Sequence, residues 1–161
     1  MAGVHLASRP LDGRNAHEAG RALLEELYRY CVGSNPPPVL CTPRGKPYFE
    51  TGPWHFSISH TKTRVFCALA QCPVGIDAED LERRINLKLA EKILSEQEYR
   101  QYSAAEDPRL ALLTFWVLKE AGAKLSGEGL QGYPNHTNFS LDDPRVTIQD
   151  GCLLAVLTKG D

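Results

Sequence analysis

Apolar positions follow a helical period early in the chain, a strand period through its middle, a helical period again, and a strand period at the end. From about His17 to Cys31, Ala19, Leu23, Leu27 and Tyr30 recur at helical spacing, while Glu18, Arg21, Glu25 and Arg29 fall elsewhere around the turn. The Gly33-Ser34-Asn35-Pro36-Pro37-Pro38 stretch ends that helix. Short strands are predicted at Val39–Cys41, Pro47–Glu50, Trp54–Ser59, Val65–Ala70 and Val74–Glu79, separated by turn residues. The pattern then becomes helical from about Asn86 to Tyr102, with Ser95 as an internal N-cap. A further helix starts at Asp107-Pro108 and runs to about Ser126. A loop follows from Gly127 to Pro144, and strands Val146–Gln149 and Leu153–Thr158 close across Asp150-Gly151, a hairpin signal. No internal repeat is visible. The order predicts an α+β protein of two similar lobes, each a helix on a small antiparallel sheet. The lobes are expected at 1–72 and 73–161, packed as one unit.

Composition narrows the class without changing that picture. The 161 residues are 42% hydrophobic and 24% charged, with a formal net charge of −2. Nothing there calls for nucleic acid or a membrane, and no apolar run reaches the ~20 residues of a spanning helix. Met1–Pro10 has neither the cationic start nor the apolar run of a signal peptide. The cysteines (Cys31, Cys41, Cys67, Cys72, Cys152) are odd in number and form no C-x-x-C. We read them as reduced and mostly buried in a cytoplasmic protein, which makes the N-x-[ST] triplets at Asn135 and Asn138 coincidental.

Candidate chemistry sits at four places. In helix 109–126 the apolar stripe is Leu113, Trp116, Val117, Ala121 and Leu125, and Glu120 and Lys124 fall on it. An ionised group on an apolar face is costly unless paired or ligating. The pair is either an i,i+4 ion pair worth ~0.3 kcal/mol or part of a site. In Val74–Glu79, Asp77 and Glu79 share one strand face. Two such carboxylates suit a hard cation, as Mg²⁺ is held by one or two carboxylates plus phosphate. They also suit a plain acidic strand end before a helix. Ser57-Ile58-Ser59-His60-Thr61 puts hydroxyls and an imidazole where a strand turns, fit for phosphate or for a satisfied turn histidine. No G-x-S-x-G elbow exists, which argues against a serine hydrolase. Gly45-Lys46-Pro47-Tyr48 is a turn carrying a lysine. Gly127-Glu128-Gly129-Leu130-Gln131-Gly132 matches G-x-G-x-x-G but follows a helix and precedes a loop, the reverse of a dinucleotide fold.

Taken in order, Gly45-Lys46-Pro47, Ser57–His60, Gly75–Glu79 and Trp116-Val117-Leu118-Lys119-Glu120-Ala121-Gly122-Ala123-Lys124 resemble the signatures of the 4′-phosphopantetheinyl transferase superfamily. Gly127–Leu130 resembles that family's loop, so the likeness runs from about Gly45 to Leu130. The resemblance implies a pseudo-twofold pair of lobes with the active site between them. It implies Mg²⁺ on Asp77, Glu79 and Glu120, and coenzyme A phosphates on Lys46, Ser59, His60, Asp77 and Lys124. Glu120 would take the proton of a serine on an apo acyl or peptidyl carrier protein. Lys124 would neutralise the pyrophosphate as 3′,5′-ADP leaves, in an in-line phosphoryl transfer.

The chain is shorter than two-lobed, surfactin-type members usually are, and longer than the single-lobe trimeric type. The expectation is a short two-lobed member working as a monomer, with Arg9, Arg14 and Arg44 as further phosphate candidates. Ala78 is expected to point away from the metal. Arg64, Arg83 and Arg84 flank the motifs and are candidates for carrier-protein contacts, against the plainer reading of solvated surface arginines. Rival readings are a coenzyme A or carrier-binding module without turnover, and another Mg²⁺-dependent nucleotide phosphotransferase or phosphodiesterase.

Overall fold

Strands buried on both faces organise the chain, and the computed structural model, which describes residues 3–128 and 138–160, shows where they lie. In chain order the elements are β1 (Val4–Pro10), α1 (Ala16–Val32), β2 (Val39–Cys41), β3 (Pro47–Phe49), β4 (His55–His60), β5 (Arg64–Ala70) and β6 (Val74–Asp80). A 3₁₀ turn (Leu87–Leu89), α2 (Ala90–Ile93), α3 (Glu96–Ala104), α4 (Pro108–Ser126), β7 (Val146–Gln149) and β8 (Cys152–Thr158) follow. All pairings are antiparallel, giving sheets ordered β1-β5-β4 and β6-β8-β7 and a separate β2–β3 hairpin.

Side-chain alternation distributes the core. Val65, Cys67 and Leu69 of β5 pack with Leu23, Leu24 and Leu27 of α1. Leu153, Ala155 and Leu157 of β8 pack with Leu113, Val117, Leu118 and Ala121 of α4. The opposite faces, carrying Phe66, Ala68, Val74, Ile76, Ala78, Leu154 and Val156, share a third cluster that joins the sheets. Ala78 thus points away from Asp77, as expected. The sheets also meet along their edge strands β4 and β6. There the Ser57 and Ser59 hydroxyls accept the backbone N–H groups of Ile76 and Ala78, each at 3.0 Å.

Local chemistry fixes the helix ends. Asn15 caps α1, Ser95 closes a capping box with Glu98 on α3, and Asp107 with Pro108 opens α4. Gly127 ends α4 in the left-handed conformation, and Asp150 (φ 51°) with Gly151 (φ 75°) makes the β7–β8 turn. Two expectations need correction. The N-terminal segment is a strand, β1, whose pairing partner lies some 60 residues away. Tyr30 is 88% exposed, and Tyr28 takes the buried place on α1, because the apolar face of that helix is centred on Leu24 and Leu27. No helix among the described residues is long and apolar enough to cross a membrane. Asn135 and most of the G-x-G-x-x-G stretch, from Gly129 on, lie outside the described residues.

Candidate active site

Gly75 sets the geometry of the site. A Cβ there would lie 2.2 Å from the Ala121 carbonyl oxygen and 2.6 Å from the Leu125 amide nitrogen. Without it, β6 and the last turns of α4 touch backbone to backbone. Asp77 and Glu79 share the face of Gly75, so both carboxylates meet α4 in turn. Lys124 Nζ donates to Asp77 Oδ1 at 3.2 Å and to the Ile58 carbonyl at 3.3 Å, tying α4 to both edge strands. Ser59 Oγ donates to the same Asp77 oxygen at 3.3 Å. Trp116 Nε1 donates to Glu79 Oε1 at 3.2 Å. Arg83, one turn beyond Glu79, pairs with that oxygen and lies over the Trp116 ring, 5.5 Å from its centroid.

Burial governs the ionisation of all three acids. Asp77 is 6% exposed and its pKa is pushed up to about 7: burial outweighs the pull of Lys124, and Glu79 and Glu120 add to the rise. Burial likewise raises Glu79 against the opposing Arg83, and Glu120 against Lys124. Asp77 Oδ2 is buried without a hydrogen-bond partner, an expensive state for a carboxylate. That orphaned oxygen, in an all-carboxylate donor set, fits a hard cation such as Mg²⁺. As placed, no three His, Cys, Asp or Glu side chains among the described residues are grouped to hold a metal ion. Lys124 and Arg83 lie on two of the acids instead.

Beside these groups a cavity of about 300 Å³ is lined by Arg44, Lys46, Ser57, Glu120, Lys124 and Gly127 with apolar neighbours. Lys46 Nζ donates to the Leu125 carbonyl at 2.9 Å, and burial lowers its pKa. Arg44 reaches the Glu128 carbonyl at 2.8 Å. The β2–β3 hairpin is thereby held against the C-terminal end of α4.

The structure therefore brings together Lys46, Asp77, Glu79, Glu120 and Lys124. Ser59 lies behind them, 4% exposed, with its hydroxyl between Ala78 N–H and Asp77. His60 stands apart, exposed at the end of β4 with Nδ1 3.2 Å from the Thr61 carbonyl. Of the further basic candidates only Arg44 reaches the cavity: Arg9 pairs with Glu26, and Arg14 donates to Leu11 and Pro10 carbonyls. Arg64 and Arg83 are not solvated surface arginines. Arg64 is 22% exposed and bound to Ser8 and Asp150, and Arg83 is engaged by Glu79 and Trp116. Sequence reasoning also missed Lys119. It is 1% exposed and pairs at 2.8 Å with the fully buried Glu98. Glu98 is the acid of the Ser95 capping box: its Oε1 accepts the Ser95 N–H and pairs with Lys119, while its Oε2 accepts the Phe139 N–H.

A family model described as the 4′-phosphopantetheinyl transferase superfamily matches residues 73–153. The chain belongs to that superfamily. It is 34% identical over 109 residues to the 4′-phosphopantetheinyl transferase psf-1 of Bacillus pumilus, covering 65% of this chain and 46% of that protein. It is 36% identical over 130 residues to the 4′-phosphopantetheinyl transferase gsp of Aneurinibacillus migulanus, covering 72% and 52%. It is 33% identical over 98 residues to a holo-[acyl-carrier-protein] synthase of Shewanella denitrificans, covering 54% and 78%. The chain spans about half the length of the Bacillus pumilus and Aneurinibacillus relatives it matches. The superfamily match takes in β6 and α4, the two elements that bear all three acids and Lys124.

Proposed function

We propose that this superfamily member transfers the 4′-phosphopantetheine group of coenzyme A to a serine of an apo acyl or peptidyl carrier protein, with Mg²⁺, releasing 3′,5′-ADP. The observation that carries the reading is the orphaned Oδ2 of Asp77, whose Oδ1 pairs with Lys124, beside a cavity that Glu120 and Lys124 line. Asp77, Glu79 and Glu120 would hold the metal, which when bound would offset the negative charge of the pyrophosphate.

The serine oxygen attacks the phosphorus bearing pantetheine, and the bond from that phosphorus to the bridging oxygen of the pyrophosphate breaks. Glu120 accepts the serine proton. Its raised pKa brings it nearer the pH at which a base works well. Lys124, on the cavity wall, neutralises charge on the departing 3′,5′-ADP. Lys46 has three ammonium hydrogens and spends one on Leu125, so it can also meet a phosphate. His60, exposed at the end of β4, would add charge there. Ser59 would act by holding Asp77. The two halves, 1–72 and 73–161, are read as lobes related by a pseudo-twofold axis, acting as a monomer in the cytoplasm.

The test is intact-mass spectrometry of apo carrier protein incubated with this protein, coenzyme A and Mg²⁺. A mass gain equal to phosphopantetheine is expected, abolished by EDTA and by Glu120→Ala. Coenzyme A binding with no gain on peptidyl, polyketide or fatty-acyl carriers would refute the transferase reading in favour of a binding module.

A further inference from the structure

Arg83 occupies a position that the proposed chemistry does not use. Its guanidinium pairs with Glu79 and sits 5.5 Å over Trp116, whose indole N–H is bound to the same Glu79 oxygen. Glu79 is thus engaged by two groups, Arg83 and the Trp116 indole, that hold it toward Trp116. The geometry is specific to this segment. β6 ends at Asp80, and the turn that follows carries Arg83 back over the end of the strand, supported by Arg83 N–H to the Asp80 carbonyl at 2.9 Å. Arg109 braces that turn through the Leu81 and Arg83 carbonyls, at 2.6 and 3.0 Å. The turn is therefore fixed, while the Arg83 side chain is 39% exposed to solvent.

From this arrangement, and resting on the metal reading above, we infer that Arg83 is a built-in counter-ion that a divalent cation must displace from Glu79. With Arg83 and Lys124 in place, two cations already offset two of the three acid charges without metal. A cation reaching Asp77 competes for Glu79 with a guanidinium already held by an ion pair and an aromatic face. Arg83 is a positioning residue that sets the threshold for metal loading, and the outward swing of its side chain reports that loading at the rim of the site.

Two measurements on the full chain test this without turnover. Mn²⁺ binding, read by loss of the free-ion electron paramagnetic resonance signal, should tighten about fivefold or more in Arg83→Gln, since one adjacent like charge is removed. In the parent, Mg²⁺ should move the side-chain Nε–Hε cross-peak of Arg83, assigned as the peak that R83Q lacks, toward the shifts of exposed arginines. Unchanged or weaker Mn²⁺ binding in R83Q overturns the inference, as does a cross-peak that ignores Mg²⁺. Asp77→Asn separates the two layers: it should abolish Mn²⁺ binding in both backgrounds. Retention of binding there would overturn the metal reading itself, and with it the inference.

Discussion

Replacing Gly75 by alanine tests the contact on which the site is built. The added methyl would be 2.2 Å from Ala121 O, 2.6 Å from Leu125 N and 2.9 Å from Leu125 Cα. Every colliding atom is backbone, so no side chain can rotate aside. Relief to an ordinary contact of ~3.4 Å requires β6 and α4 to separate locally by roughly 1.2 Å. Overpacking of this kind costs about 1–3 kcal/mol. We place Gly75→Ala near the upper end, about 3 kcal/mol, because the helix it displaces also packs on β8. With a urea m-value of about 2 kcal/mol/M, the unfolding midpoint should fall by about 1.5 M. The same displacement moves Lys124 and Glu120 relative to Asp77, and a shift of about 1 Å in reacting groups costs on the order of 100-fold in rate. Urea unfolding followed by far-UV circular dichroism measures the first effect, and the carrier-protein mass assay the second. A midpoint within about 0.3 M of the parent would refute the backbone contact between β6 and α4, whatever the enzyme does.

Lys119→Met should strand the Glu98 carboxylate in the core and destabilise the protein by about 3–5 kcal/mol, whereas Lys119→Met with Glu98→Leu should recover much of that loss; urea unfolding of the single and double variants decides it. Asp143 has its pKa held below the usual carboxylate range, first by hydrogen bonding to Arg145. A depressed folded pKa gives stability that is present above the unfolded value of 3.8 and lost as pH falls through the folded one. Asp143→Asn should therefore cost about 1 kcal/mol at pH 7, and the difference from the parent should close below pH 3.8 in thermal unfolding. Burial pushes the Cys67 thiol up to about 12 and Cys152 up to about 11, while Cys41 is exposed. Mass spectrometry after brief iodoacetamide treatment at pH 8 should find Cys41 alkylated and the other two untouched until denaturant is added.

What the sequence made legible was set by local chemistry. α4 could be read from its stripe and caps, and its two charged residues on the apolar side marked the cavity wall. The strands around Gly45–Glu79 were found within a residue of their ends, because glycine and proline punctuate all but the Thr61–Thr63 turn. β1 was missed because its identity as a strand comes from pairing with β5 rather than from its own pattern. Arg83 was misread for a related reason. Arginine after an acidic strand end looks solvated in one dimension, and only the turn at Asp80 carries it over Trp116. Lys119 hid in a largely buried stretch of α4, where a single lysine breaks no period. The grouping of Asp77 with Lys124 rests on the absence of one methyl at Gly75, which no periodicity can express.

The serine hydroxyls that join β4 to β6 have a consequence for solubility. A sheet edge is a row of open backbone groups on which another chain can align. Here one edge of each sheet is closed against the other by Ser57 and Ser59. Among the described residues, the outer edges of these two sheets that remain are β7, only four residues long, and β1, which ends in Arg9 and Pro10. A short strand and a strand finished by a charge and an imino acid are poor templates for recruiting a stranger. The residues that hold Asp77 in register thus also keep β4 and β6 from becoming a seed for aggregation.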